Sequence, residues 1–553
     1  LAVVSGCDSI LDKGPLDSFT NDNFWTGEGN ISGYANAFYE QFLGYGNGNG
    51  YGDFYFKTLS DDQAGMSFAK WTYPDNAPST SATWKNGWIE VRRANIMLEN
   101  VPTVASLDEA TKNHWLGVAR LMRAWQYYHL VRMYGNLPWI DKALNINDEG
   151  EIYGNREDRD MVMDKVLEDL DFAVTNIKDI SSKTTWSRSL ANAMKAEVCL
   201  YEGTFRKYRK NEDGQQAPDA TGAARYLTAC KEACLAVMSK GYKLNTSYQG
   251  NYNSTDLSSN PEMILYKAYK EGLLMHSTID YTCSSTQISG MSKNAFESYL
   301  FKDGKPMALT SLNKSDEAPF QYGHLSLKAI LAVRDKRLAQ TIDTVLLYNG
   351  RGFTRFNTGM ESTSSTGYGV AKYDNEAIPE GFRSQSGKNY THAPLFWLSV
   401  IYLNYAEACA ELGNITQDDL DKSINLLKDR AGLPHLNPIV GFSDPANNHG
   451  VSDLIWEIRR ERRCELMFDN DNRYWDLIRW HQLDKLDTTK YPDIILGANV
   501  ANDMDGCEAN KVGKYIDGSK DGSRIYDKKH YLYPIPTGQI ALNPQLAPNN
   551  PGW

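Results

Sequence analysis

Cysteine is scarce in this chain, eight in 553 residues. Cys199, Cys230, Cys234, Cys283, Cys409, Cys464 and Cys507 stand in no CxxC or C…H ligand spacing. A zinc module and a disulfide framework are therefore not expected, and most of these thiols read as small hydrophobes in apolar helices. Cys230 and Cys234 lie four apart on one predicted helix, where the geometry places two thiols poorly for a bridge. Positive charge is also short. With 58 basic and 69 acidic residues the net charge is -11, which repels phosphate backbones and excludes nucleic acid as an expected partner. No run approaches the ~18 to 20 consecutive apolar residues of a membrane-spanning helix. HExxH, GxSxG, the P-loop and GxGxxG are all missing. The glycine-rich "GYGNGNGYGDF" (44–54) misses the last spacing and follows a helix, so it reads as a flexible loop.

What the chain does have is aromatic mass: 12% of residues, with 33 tyrosines and 13 tryptophans. Large rings fill helical cores, and in exposed loops they make stacking platforms for sugars. Helical periodicity is strong at both ends of the chain. "WKNGWIEVRRANIMLENV" (84–101) puts Trp84, Trp88, Val91 and Leu98 on one face, and these two tryptophans read as core. "HWLGVARLMRAWQYYHLVRMYG" (114–135) is apolar nearly all round, as a helix buried between neighbours must be. Segments 159–177, 188–205 and 222–241 continue the series, several of them ended by glycine. "FWLSVIYLNYAEACAELGN" (396–414) carries a bulky stripe (Leu398, Ile401, Tyr402, Tyr405, Cys409, Leu412) and a small one (Ala406, Ala410), which lets a helix pack closely on two sides. Helix pairs of this kind bury their faces by stacking. The fold class expected is mainly α, a tetratricopeptide-like helical-hairpin scaffold. Between 245 and 394 the pattern turns to loops rich in Ser, Thr, Gly and Tyr, with short runs such as "EMILYKAY" that read as strands.

The stretch "RRERRCELMF" (459–468) looks like a basic patch. On a 100° wheel Leu454, Ile455, Ile458, Cys464, Leu466 and Phe468 share one arc, with Glu457, Glu461, Glu465 and Arg462 inside it. Carboxylates on a core-facing stripe must be paired or they neutralise. The expectation is a partly buried ionic network with Arg462 and arginines of neighbouring helices, while Arg459, Arg460 and Arg463 point outward. The following Tyr474, Trp475, Asp476 and Trp480 read as packing residues.

At the N-terminus, "LAVVSG" precedes Cys7. Val4-Ser5-Gly6-Cys7 is similar to the lipobox that ends a bacterial lipoprotein signal. Processing there would make Cys7 an acylated terminal residue and anchor an otherwise soluble body to a membrane. The polar stretch behind it reads as a tether.

Five segments in order, "LMRAWQYYHLVRMYGNLPWI" (121–140), "FESYLFKDGKP" (296–306) with "RDKRL" (334–338), "LSVIYLNYAEACAELGN", "IRRERRCELMFDNDNRYWDLIRW" (458–480) and "YLYPIPTGQIALNPQLAPNNPGW" (531–553), resemble the SusD/RagB family of Bacteroidetes outer-membrane lipoproteins. The resemblance covers almost the whole chain. It implies a tetratricopeptide-like scaffold bearing a loop-rich second region and surface exposure on the outer membrane. It also implies no enzymatic activity, and service as a nutrient-capturing lid for a SusC-like TonB-dependent transporter. The division expected is 1–6 residual signal peptide, 7–32 lipidated tether, 33–244 N-terminal helical region, 245–394 loop-rich region, 395–486 C-terminal helical hairpins and 487–553 an irregular segment packing on the scaffold.

A sugar offers apolar C–H faces and hydroxyl rims, so its site needs exposed rings beside amides, carboxylates or arginines. "SDDQAGMSFAKWTYPDNAPS" (60–79) lacks helical periodicity and offers Trp71 and Tyr73 beside Asp61, Asp62, Asp75 and Asn76. By family analogy this loop and loops of the second region line the site, which adds Tyr281, Phe320 and Tyr322. The ligand expected is an oligosaccharide or polysaccharide. The alternatives are a helical glycoside hydrolase, which needs two carboxylates across a cleft, and a structural or peptide-binding surface lipoprotein. No cofactor is expected. "DMDGCE" (503–508) and "DGSKDGSRIYD" (517–527) have oxygen donors for a structural Ca²⁺, but neither meets the EF-hand pattern, and both read as solvated loops.

Overall fold

Side-chain caps stand at the heads of most of the long helices, the 14-residue helix Leu398–Glu411 being an exception. In the computed structural model, which describes residues 24–56, 59–65, 76–283, 289–312, 327–347, 364–470, 472–500, 511–519 and 522–553, the chain divides into two compact units. The first comprises 1–41, 79–179 and 536–547. Its longer helices are α1 (Glu28–Asn36), α2 (Ala82–Asn100), α3 (Glu109–Tyr134) and α4 (Arg159–Asn176). The Ser81 hydroxyl accepts the Trp84 amide at the head of α2, and Asp108 accepts the Thr111 amide at the head of α3, each satisfying an amide the helix itself cannot. α3 packs against both α2 and α4, which is why it needs no polar face. Arg123, buried within it, donates to both oxygens of Asp169 on α4 at 2.7 and 2.9 Å. Trp84 is buried, with Trp88 edge-on to it at 5.6 Å. Residues 28–32, read from the sequence as part of a tether, belong to α1, which starts at Glu28, and Ile31 is fully buried. The C-terminal stretch 536–547 also joins this unit, where the Gly538 amide donates to Ser79 O at 3.1 Å.

The second unit comprises 42–78, 180–535 and 548–553. Helices α5 (Arg188–Tyr208) and α6 (Ala220–Met238) pack along one another. In the loop-rich stretch lie the short α7 (Thr278–Cys283), α8 (Lys293–Ser298) and α9 (Lys336–Thr341). Then follow α10 (Leu398–Glu411), α11 (Ile424–Ala431), α12 (Asp453–Glu465) and α13 (Asn472–Arg479). α10 packs on α5, α6 and α12, and α13 on α5. The strands are few and short. β1 (Gln63–Ala64) pairs antiparallel with β3 (Gly290–Met291), and β2 (Met263–Lys267) with β4 (Ala393–Trp397). β5 (Leu496–Asn499), β6 (Lys511–Val512) and β7 (Tyr515–Asp517) form an antiparallel sheet with β7 in the middle. "EMILYKAY" is thus a strand in its centre, and Phe396 and Trp397, expected to open a helix, instead end β4 before α10 begins. The architecture is mainly α.

The charged helix is the inside of this unit. α12 touches α8, α9, α10 and α11. Glu461 accepts from Arg337 of α9 at 2.5 Å and pairs with Lys428 of α11 at 3.1 Å. Glu465 accepts from Arg337 at 2.9 Å and from Arg430 of α11. Arg462 donates to Asp476 of α13 at 2.8 Å. The outward placement of Arg459, Arg460 and Arg463 is overturned. Arg459 is 2% exposed, over the Trp480 ring at 4.2 Å and 3.4 Å from Glu411. Arg460 is buried between Asp444 and Glu457, and Arg463 donates to Asp62 at 2.7 Å. A wheel separates apolar from charged, but it does not tell whether a second set of neighbours covers the charged arc. Here they do, and each guanidinium finds a carboxylate, as burial of a charge requires. Tyr474, Trp475, Asp476 and Trp480 are buried as packing residues. The described cysteines, Cys199, Cys230, Cys234, Cys283, Cys409 and Cys464, are all free and buried. Cys7 and Cys507 lie outside the described residues.

Candidate functional site

Glycine spacing shapes the stretch 44–54 into an ordered loop, contrary to its reading as a flexible one. Gly46 has φ +83°, and a Cβ there would lie 2.4 Å from Gly50 O. A Cβ on Gly52 would lie 2.1 Å from Gly44 O. Only glycine permits the left-handed turn and the close approach of the two limbs. The Asp53 amide closes the loop onto Gly44 O at 2.8 Å. Partners more than two hundred positions away then pin it. Tyr269 Oη donates to Gly46 O at 2.7 Å and Ser277 Oγ to Gly48 O at 2.8 Å. Lys267 Nζ donates to Leu43 O and Asn47 Oδ1, both at 3.0 Å.

The loop holds out one ring. Tyr51 is 56% exposed and lies stacked on Phe56, with centroids 4.5 Å apart and planes 19° from parallel. Tyr281, on α7, stands edge-on to both, at 5.5 Å from Tyr51 and 5.8 Å from Phe56. Its hydroxyl donates to Asn49 O at 3.1 Å, tying α7 to the loop. Tyr55 takes a left-handed φ of 67° between the rings of this cluster and the core. That conformation costs a tyrosine about 1 to 3 kcal/mol. It is held by the Tyr55 amide donating to Phe468 O at 2.8 Å and its hydroxyl to Ser289 O at 2.9 Å. On the rim, Asn47 and Asn49 are exposed, and Ser386 Oγ donates to Asp280 Oδ2 at 2.6 Å beside Tyr281. A fixed aromatic face edged by amides and hydroxyls can stack a pyranose ring and bond its hydroxyls.

Of the residues expected at the site, Tyr281 alone falls in this cluster. Trp71, Tyr73, Phe320 and Tyr322 lie outside the described residues. Asn76 is exposed, and among the described residues no hydrogen bond joins it to the cluster. Asp62 is corrected. It is 4% exposed, and its carboxylate accepts from Arg463 Nε at 2.7 Å across 401 positions of sequence. Burial pushes its carboxyl up, Arg463 pulls it back, and the neighbouring Asp61 adds to the rise. Such a carboxylate belongs to the ionic core. An aperiodic, polar stretch looks solvent-facing until the arginine that buries it is known. Sequence reasoning misses Tyr51 and Phe56 for the opposite reason: the glycines around "GYGDFYF" suggest mobility, whereas alternation of rings with glycine is the available sign of a tight turn presenting aromatics. Among the described residues, no three His, Cys, Asp or Glu side chains converge as a metal site.

Comparison with known proteins adds a family and a fold. The model of the SusD family matches residues 236–553, and a second model, described as starch-binding associating with outer membrane, matches residues 21–200. The SusD-like protein P38 of Formosa agariphila is 24% identical over 493 residues, covering 87% of this chain and 89% of that protein. Among solved structures, a SusD-like carbohydrate-binding protein of Bacteroides fragilis is 20% identical with a TM-score of 0.70, over 95% of this chain and 100% of the other. A laminarin-binding SusD-like protein is 19% identical with a TM-score of 0.56, over 96% and 100%.

Proposed function

Since this chain belongs to the SusD family, we propose that it is a cell-surface, lipid-anchored glycan-binding protein of the outer membrane. In this reading it captures oligosaccharide or polysaccharide and passes it uncleaved to a SusC-like TonB-dependent transporter. The observation that carries the binding half is the exposed Tyr51 ring, stacked on Phe56 and braced by Tyr281. An exposed tyrosine held rigid on a pinned loop has already lost the freedom that a sugar would otherwise have to remove. Trp71, Tyr73, Phe320, Tyr322 and Asn76 are proposed as further parts of the same ligand surface. The match of residues 21–200 to a family described as associating with the outer membrane supports the location. The Val4-Ser5-Gly6-Cys7 sequence supports the anchor.

The test is retention of polysaccharides on immobilised protein, with laminarin and starch in the panel, followed by calorimetric titration of whichever is held. Tyr51→Ala should weaken binding roughly tenfold, the equivalent of a stacking ring's ~1 to 2 kcal/mol. Its thermal melt should hardly move, because an exposed ring contributes little burial. Unchanged affinity in both Tyr51→Ala and Tyr281→Ala removes the cluster from the site. Release of shortened glycan during incubation overturns the non-catalytic reading in favour of a hydrolase.

A further inference from the structure

We propose that a cavity of about 430 Å³ in the second unit, sharing no residue with the Tyr51 cluster, is a separate site for a neutral sugar residue. It opens where α8, the arginines of α12 and the loop 444–449 meet, and this size lies toward the small end of the ~300 to 1,000 Å³ usual for ligand pockets. That suits a short saccharide end rather than the flank of a long polymer.

Charge selects the ligand class. Four carboxylates and four cationic side chains line the cavity, and the guanidiniums are already committed. Arg473 donates to both oxygens of Asp61 at 2.7 Å. Arg460 lies between Asp444 and Glu457, and Arg463 donates to Asp62 and to Asn294 at 2.7 and 2.8 Å. An anion entering would have to break these pairs and face their carboxylates. A cation would meet the guanidiniums. A neutral polyol, which donates and accepts at each hydroxyl, can add bonds to the remaining lone pairs and N–H groups without separating any pair.

Two side chains give the cavity direction. His449 is 8% exposed, and its Nδ1 lies 3.2 Å from Arg459 Nη1. A guanidinium only donates, so Nδ1 is the acceptor and the proton sits on Nε2. Burial first, then Arg473 and Arg459, hold this imidazole neutral far below its ordinary range. Among the described residues no protein atom accepts from Nε2, and His449 lines the cavity, so this N–H is available to donate to a ligand hydroxyl. Trp456 supplies the ring. Its indole N–H donates to Asp444 at 3.1 Å, and His449 stands perpendicular to it at 5.1 Å, which fixes its orientation. One fixed aromatic ring, one fixed donor and balanced acid and base edges are the elements that hold a single pyranose.

The full chain labelled with 5-fluorotryptophan tests this. Trp456→Phe identifies the resonance of Trp456, and the methyl glycosides of glucose, galactose and mannose are titrated against it. Inorganic phosphate and glucosamine serve as charged comparisons. At least one neutral glycoside should shift that resonance saturably, in the millimolar range, and should do so equally in the Tyr51→Ala background. Ala446→Phe, placed at an exposed lining position so as to fill the cavity without touching the ion pairs, should abolish the shift while leaving the thermal melt in place. His449→Phe should weaken binding about tenfold, the share of one buried hydrogen bond. Absence of any saturable shift with the three glycosides, a stronger response to phosphate or glucosamine, or persistence of the shift in Ala446→Phe each overturns the proposal. Loss of the shift in Tyr51→Ala would also overturn it by making the cavity part of the other site. Failure of polysaccharide retention alone touches only the surface reading.

Discussion

Glu461 concentrates the energetics of the ionic core in one side chain. It is 2% exposed, held between Arg337 and Lys428. Burial pushes its carboxyl up, but the two cations outweigh burial and bring it down to about 2. Glu461→Ala leaves Lys428 buried without a carboxylate, and the expected loss in a denaturant melt is about 3 kcal/mol. Arg459→Ala, which a solvent-facing residue would tolerate at under about 1 kcal/mol, should instead cost about 2 kcal/mol. It removes packing on Trp480 and the donor to His449, although Glu411 keeps Lys207 and Tyr208 as partners. A loss near zero for Arg459→Ala would return it to the surface. Acid titration gives an independent reading. Because the folded value of Glu461 is depressed below the ~4.3 of an unfolded chain, its contribution is present at neutral pH. It is lost as pH falls from about 4 toward 2. Glu461→Gln should therefore lose less stability than the parent across that window, as measured by thermal melts at stepped pH, and parallel curves would refute the assignment. Sequence reading reaches this carboxylate because an acid on an apolar arc has few explanations. It does not reach Arg459, because the guanidinium's burial is decided by α10 and by Trp480 of the turn after α13.

At the scale of the element, close packing between α5 and α6 rests on Gly203. A Cβ there would lie 2.8 Å from Leu227 Cγ and 3.0 Å from the Leu227 amide nitrogen, so the small residue lets one helix seat the backbone of the other. Alanine raises helix propensity by about 1 kcal/mol, but overpacking costs about 1 to 3 kcal/mol. Gly203→Ala should come out net destabilising. Gly33, within α1, is the contrast: a Cβ there would meet nothing within 4 Å. Gly33→Ala should stabilise by about 0.5 to 1 kcal/mol. Opposite expectations for the same chemical change make melting of the pair decisive; if both variants gain stability, the helices of the second unit can part without cost. The helices themselves are legible from apolar periodicity and from Ser or Asp caps. Their ends are less so: Phe396 and Trp397 continue the apolar pattern of α10, yet pairing with Met263 and Leu265 takes them into β4. The glycine-rich loop escapes sequence reading for a similar reason, since the groups that order it, Tyr269 and Ser277, are remote in sequence.

Over the whole molecule, the proposed anchor and the proposed ligand surface can be separated by experiment. Tyr51, Phe56 and Tyr281 all belong to the second unit, whereas Cys7 precedes every described residue. Acylation at Cys7 should therefore leave the intrinsic affinity of the rings alone. What it changes is position. With a net charge of -11 the body as a whole is not drawn to an anionic membrane, so attachment in the proposed reading would depend on the lipid, and two or more chains hold stably where one is marginal. A tethered binder keeps captured glycan at high local concentration near a membrane partner, while a released one carries it away. Cys7→Ala, expressed without the transporter, should move from the membrane fraction to the soluble one and titrate the glycan with unchanged affinity. Cells carrying it should lose surface glycan retention. Persistence in the membrane fraction would refute Cys7 as the anchor. Release with lost affinity would show that the N-terminal segment contributes to the ligand surface itself, and the separation of anchor from binding surface would fall with it.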